Sequence, residues 1–146
     1  MAEQVSIADR VQNFFARTVL GGALLLPYAL RVRLVGSVFA RIVAPLAGWN
    51  TRVLNNLSYV YPDMPPDRQR QIARAVADNV GRTLIEIYSG EGFVAHARHS
   101  EVAGPGLAAM EAARAAGRPM VLVTAHMGNY DAVRSKLSRE GYPMAA

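Results

Sequence analysis

The chain has 146 residues, a formal net charge of +5, a hydrophobic share of 51% and a charged share of 18%, against about 25% charged residues in an average soluble domain. This is enough chain for one domain with a modest core, greasier than an ordinary soluble protein yet too polar for a polytopic membrane protein. There is no cysteine, which excludes disulfide frameworks, thiolate catalysis and cysteine-ligated zinc.

From the N-terminus, Val5, Ile7, Val11, Phe14, Phe15, Thr18 and Val19 fall at helical spacing, with Arg10 and Arg17 off the stripe. Residues 18–30 (TVLGGALLLPYAL) carry no charge. That run is shorter than the roughly 18 apolar residues a clean span needs, and Arg31 and Arg33 close it. No small-residue cleavage site follows to make it a signal peptide. An anchor lying in the bilayer plane or partly inserted fits better, and a spanning helix with snorkelling arginines stays open. Between residues 10 and 60 stand Arg10, Arg17, Arg31, Arg33, Arg41 and Arg52 and no acid. Interleaved with Leu, Val, Ile and Phe, these arginines read as a face for an anionic bilayer surface. Nucleic acid is not implied, because neither aromatic interleaving nor a groove-reading motif accompanies them.

Residues 22–48 predict one or two more apolar helices, with Gly21-Gly22, Pro27 and Pro45 as kinks or ends. A further helix runs from Arg52 towards Pro62. The breaker Pro62-Asp63-Met64-Pro65-Pro66 then opens the clearest helix of the chain, with Asp63 as its cap and Asp67 in its first turn. Ile72, Val76, Val80 and Leu84 recur every four residues, widened by Ala73, Ala77 and Ile87, and Ser89-Gly90 ends the helix.

Residues 91–104 read as irregular, with a short strand near Val102. An alanine-rich helix over 105–116 follows, closed by Gly117. Residues 120–124 (MVLVT) predict a strand covered on both faces, the loop HMGN leads into a helix over 130–140, and residues 142–144 read as the start of another strand. The fold class expected is therefore α/β: membrane-associated helices over residues 1–61, then, over residues 62–146, the first half of a sheet domain with helical crossovers, incomplete at the C-terminus. Such a half-sheet is expected to belong to a larger domain or to need a partner.

Function in α/β sheets concentrates at the carboxyl ends of strands, and His126 falls at one. Asp131 follows after four intervening residues. Five residues along a continuous helix turn through about 140°, so the two side chains meet only if His126 ends the strand, Gly128 lets the chain turn and Asp131 sits in the first helical turn. The carboxylate then holds one ring nitrogen while the other takes a proton from a hydroxyl. Asn129 can cap the helix or donate a hydrogen bond.

At these residues the chain resembles a known family. HMGNYD is similar to the HX4D motif of the lysophospholipid acyltransferase superfamily, and Asn56-Leu57-Ser58-Tyr59-Val60-Tyr61-Pro62 resembles the N-L-x-x-x-x-P segment of its bacterial lipid A biosynthesis branch, the lauroyl and myristoyl transferases. The stretch Arg82-Thr83-Leu84-Ile85-Glu86 and the turn Gly117-Arg118-Pro119 match the branch's layout. The resemblance implies acyl transfer from an acyl carrier protein or coenzyme A thioester to a hydroxyl of a lipid A precursor or related lipid. His126 would be the general base and Asp131 its orienting partner, with Asn129 as a substrate-binding candidate. It implies the cytoplasmic face of the bacterial inner membrane, no metal and no redox cofactor. Family members continue with further glycine- and arginine-containing blocks, so the 146 residues are expected to be part of a longer enzyme and inactive alone.

Other residues carry less. His96 and His99 read as exposed loop histidines, since no acidic residues complete a metal set. Asn56-Leu57-Ser58 matches a glycosylation sequon that the resemblance makes irrelevant. Glu86 either faces the cleft or pairs with Arg82. Trp49, Tyr59 and Tyr61 suit a membrane interface or ordinary packing. The alternative to an enzyme is a non-catalytic module that keeps the fold's first half on a membrane surface. A soluble hydrolase is disfavoured, for no G-x-S-x-G nucleophile elbow occurs.

Overall fold

A computed structural model of the chain describes residues 6–123, 125 and 128–142. The chain divides into two compact units, Met1–Ser89 and Gly90–Ala146.

In the first unit, α1 (Ile7–Leu24) runs through Gly21-Gly22 and stops ahead of Pro27. The N–H groups of Leu25 and Leu26 turn back onto the carbonyls of Gly22 and Ala23 at 3.3 and 3.1 Å, and Pro27 starts α2 (Tyr28–Val38). α2 passes into a π-helical turn, Phe39–Val43, and a last short turn, α3 (Ala44–Leu46). Pro45 explains the widening. A proline ring crowds the carbonyl four residues back, here Arg41, and removes a donor. The π turn lies at that place, with the Ala44 N–H reaching Phe39. Gly48, at φ 69°, lets the chain reverse into α4 (Trp49–Val60), and the Trp49 ring meets Phe39 edge-on at 5.4 Å.

The breaker at 62–66 opens α5 (Pro66–Ile87) as the sequence implies, with proline in the first turn. Pro65, not Asp63, holds the cap position, and no side chain caps the helix. The buried face of α5 is Ala73, Ala77, Gly81 and Ile85; Ala73 and Ala77 belong to the widened stripe expected, whereas Val76 and Leu84 from its middle only flank the buried face, over a third exposed. The reason is close packing against α2. A Cβ on Gly81 would stand 2.5 Å from the Phe39 Cβ, and one on Gly36 2.8 Å from the Arg82 Cγ. Small residues on α5 let the backbones approach, and the large apolar ones line the flanks. Ile85 is fully buried with Ala23 and Val32, and Ala77 with Ala40 and Ala44. Among the described residues no helix is long and apolar enough to cross a membrane.

The second unit contains α6 (Glu91–Ala97), α7 (Leu107–Ala115) and α8 (Tyr130–Arg139). Residues 91–97, expected to be irregular, are helical. Phe93 and Ala97 of α6 and Leu137 of α8 are buried. α7 and α8 end alike. Gly117 (φ 63°) and Gly141 (φ 86°) adopt left-handed conformations. Arg118 N–H reaches back to Ala113 O at 2.9 Å, and Tyr142 N–H to Leu137 O at 3.0 Å, the six-to-one bond of a Schellman cap. The Arg114 guanidinium lies 4.6 Å from the Tyr142 ring centroid, tying α7 to the end of α8.

The expected α/β sheet is overturned: among the described residues every regular element is helical and there is no strand. Neither Val102 nor residues 120–123 belong to one. Instead of being covered on both faces, Val121 is 90% and Val123 93% exposed. A strand is defined by a neighbour that takes its N–H and C=O groups, and an apolar run alone does not supply one. The strand start expected at 142–144 lies mostly outside the described residues; Tyr142 is buried behind the end of α8.

Candidate functional site

The local geometry around Asp131 is built by Gly128 and Asn129. Gly128 takes φ 62°, a turn that a Cβ would strain. Asn129 follows in extended conformation, and its side-chain oxygen accepts the Asp131 N–H at 3.1 Å. It thereby caps α8 and satisfies one of the helix's free donors. Asp131 sits in the first turn, where the positive end of the helix dipole favours its carboxylate. Its side chain is only 20% exposed and faces the Arg134 Nε at 3.5 Å.

His126 lies outside the described residues, as do Thr124 and Met127 of the same segment. The structure therefore bears on the turn at Gly128, the cap at Asn129 and the place of Asp131, and not on the meeting of Asp131 with His126. The ion pair between Asp131 and Arg134 was missed in the sequence, although its three-residue interval on a helix is a readable signal.

The other candidates fall elsewhere. His96 and His99 are exposed, and no group of metal-ligating side chains occurs among the described residues. Glu86 belongs to the first unit, where the Tyr28 hydroxyl donates to its Oε1 at 3.1 Å, while Arg82 pairs with Asp78 one turn earlier. Burial first, and the Glu86 charge second, push the Tyr28 phenol above its ordinary range. Arg31 stacks over the same ring at 5.3 Å and donates to the Leu24 carbonyl at 3.1 Å.

The first unit also exposes much apolar surface. A groove of about 490 Å³ runs past Val19, Leu20, Leu26, Leu34, Val38 and Phe39. In the same unit Leu25 is 88% and Leu46 84% exposed, and Arg33, Arg41 and Arg52 are exposed as well.

No curated protein and no solved structure matches the chain. The family model of the bacterial lipid A biosynthesis acyltransferases matches residues 2–146, so the chain belongs to that family, which indicates a lipid A acyltransferase-type function.

Proposed function

We propose that the protein transfers a fatty acyl chain from a thioester of acyl carrier protein or coenzyme A to a hydroxyl of a lipid A precursor. His126 takes the hydroxyl proton as the oxygen attacks the thioester carbonyl. The carbon–sulfur bond then breaks, and the departing thiolate receives the proton, leaving an ester and a free thiol. Asp131 holds the imidazole in the accepting tautomer and offsets its charge once protonated. The observation that carries this reading is the Asn129-capped start of α8, which fixes a sheltered carboxylate five residues after the histidine.

The reaction takes place at the cytoplasmic face of the inner membrane. The family's general association with membranes supports this, as do the apolar groove and the exposed arginines of the first unit. In this reading the first unit rests on the anionic lipid surface, leucines in the acyl boundary and guanidiniums at the headgroups. No metal or redox group takes part.

The test follows labelled acyl transfer from acyl carrier protein thioester to a lipid A precursor in membranes containing the protein. His126→Ala is expected to lower the rate by about a hundredfold to ten-thousandfold, and Asp131→Asn by less, with membrane association unchanged. Transfer that survives His126→Ala overturns the assignment.

A further inference from the structure

In the second unit, α6 and α8 border a cleft of about 310 Å³ lined by Val94, Arg134, Ser135, Ser138 and Arg139. The four α8 residues form two pairs of neighbours, 134/135 and 138/139, one helical turn apart and so on one side of the helix. They bring two guanidiniums and two hydroxyls to one concavity, and no carboxylate lines it. Asp131 and Glu91 hold the two arginines from outside, at 3.5 and 3.1 Å. Both guanidinium side chains are about half exposed, 55% and 44%, and ion pairs that open to water hold weakly. They leave the remaining guanidinium N–H groups available to a stronger acceptor.

Planar forks of N–H donors beside hydroxyls match a tetrahedral oxyanion with several free oxygens. The absence of carboxylates from the lining argues against a cation. We propose that this cleft binds the phosphoryl group of a substrate, with Arg134 and Arg139 gripping it and Ser135 and Ser138 donating hydroxyl hydrogen bonds. Because Arg134 also touches Asp131, the phosphoryl group is anchored beside the carboxylate that orients His126. The identity of the substrate rests on the acyl-transfer reading, whereas the oxyanion chemistry of the cleft does not. Two sources share that chemistry: a phosphate on the lipid acceptor and the phosphopantetheine arm of the thioester donor.

The experiment titrates the 146-residue chain with inorganic phosphate at constant ionic strength and follows the arginine Nε–H resonances. Those of Arg134 and Arg139 are expected to shift together and saturate. Arg134→Gln and Arg139→Gln should each weaken binding by about tenfold, the loss of one charge-assisted contact. His126→Ala should bind phosphate as the unaltered chain does, which separates a failure of this site from a failure of the acyl-transfer reading. If circular dichroism shows either glutamine variant unfolded, Arg134→Lys and Arg139→Lys, which keep charge and lose the fork, should weaken binding by about threefold. Non-saturating shifts, or unchanged affinity in these variants, overturn the proposal. Competition names the source. Displacement of phosphate by soluble 4′-phosphopantetheine points to the donor, and displacement by phosphatidylcholine vesicles containing phosphatidic acid points to the acceptor. Displacement by neither marks an adventitious ion only and overturns the proposal.

Discussion

Gly81 of α5 and Gly36 of α2 meet backbone to backbone: a Cβ added to Gly81 would stand 3.0 Å from the Gly36 Cα and 2.9 Å from the Val35 carbonyl oxygen. Gly81→Ala therefore has no flexible side-chain end to push aside. Its better helix propensity is outweighed by overpacking, and the variant is expected to lose about 1–3 kcal/mol. Gly22, inside α1, has nothing within 4 Å of the same hypothetical atom, and Gly22→Ala should gain about 0.5–1 kcal/mol. Urea denaturation of the two variants checks the opposite signs. A stable Gly81→Ala would show that the two helices do not cross this closely.

The Tyr28–Glu86 hydrogen bond joins residues 58 positions apart. Its phenol is raised above the unfolded value by burial and by the Glu86 charge. A raised phenol favours the protonated form in the fold. This contribution is thus complete below the unfolded value of about 10 and fades as pH climbs from there towards the folded value. Tyr28→Phe should cost about 1 kcal/mol at neutral pH and remove that alkaline loss. Denaturation at pH 8 and pH 11 distinguishes the cases; an identical alkaline loss in both proteins would rule the phenol out as its source.

Asn129→Ala removes the cap of α8 and is expected to cost about 1 kcal/mol. Asn129→Ser, which retains a cap oxygen, should recover most of it. Amide exchange at Asp131 and Ala132 reports the fraying, and acyl transfer should fall in parallel, because the same cap positions the Asp131 carboxylate. Unchanged exchange in Asn129→Ala would show that the bond contributes nothing to the helix start.

These residues also show what a linear reading can see. The Gly128 turn, the Asn129 cap and the first-turn aspartate were legible because capping is local: each rests on residues one to three positions apart. The contact between Tyr28 and Glu86 was not, since nothing in either segment names the other. α5 was legible as a helix, with Ala73 and Ala77 on its apolar side, but the inward face centres on these small residues and not on the large ones beside them. Apolar size favours Val76 and Leu84, whereas a close crossing selects Ala77 and Gly81. The run 120–123 has the composition of a strand, yet composition cannot supply the neighbouring chain that makes one. His126 rests on sequence alone.

Membrane binding can be tested through charge. Reversing Arg33 and Arg41 together (R33E/R41E) should weaken association with vesicles containing phosphatidylglycerol by at least about tenfold, given about 1 kcal/mol per basic residue near an anionic surface. Added salt should narrow the difference between the two proteins. Co-sedimentation measures both. Equal binding of the unaltered chain to neutral and anionic vesicles would remove the arginines from the account.

The π turn over Phe39–Val43 has a mechanical consequence. Its hydrogen bonds span one residue more than those of an α-turn, and each residue swings a helix through about 100°. The turn therefore acts as a rotary index. It sets the azimuth at which Ala44, wholly buried, presents itself inward and from which Trp49 returns to Phe39. Deleting a single residue there would close the wide turn to an α-turn and bring the Pro45 ring against the carbonyl four residues back, so the length of this stretch is constrained more tightly than its composition.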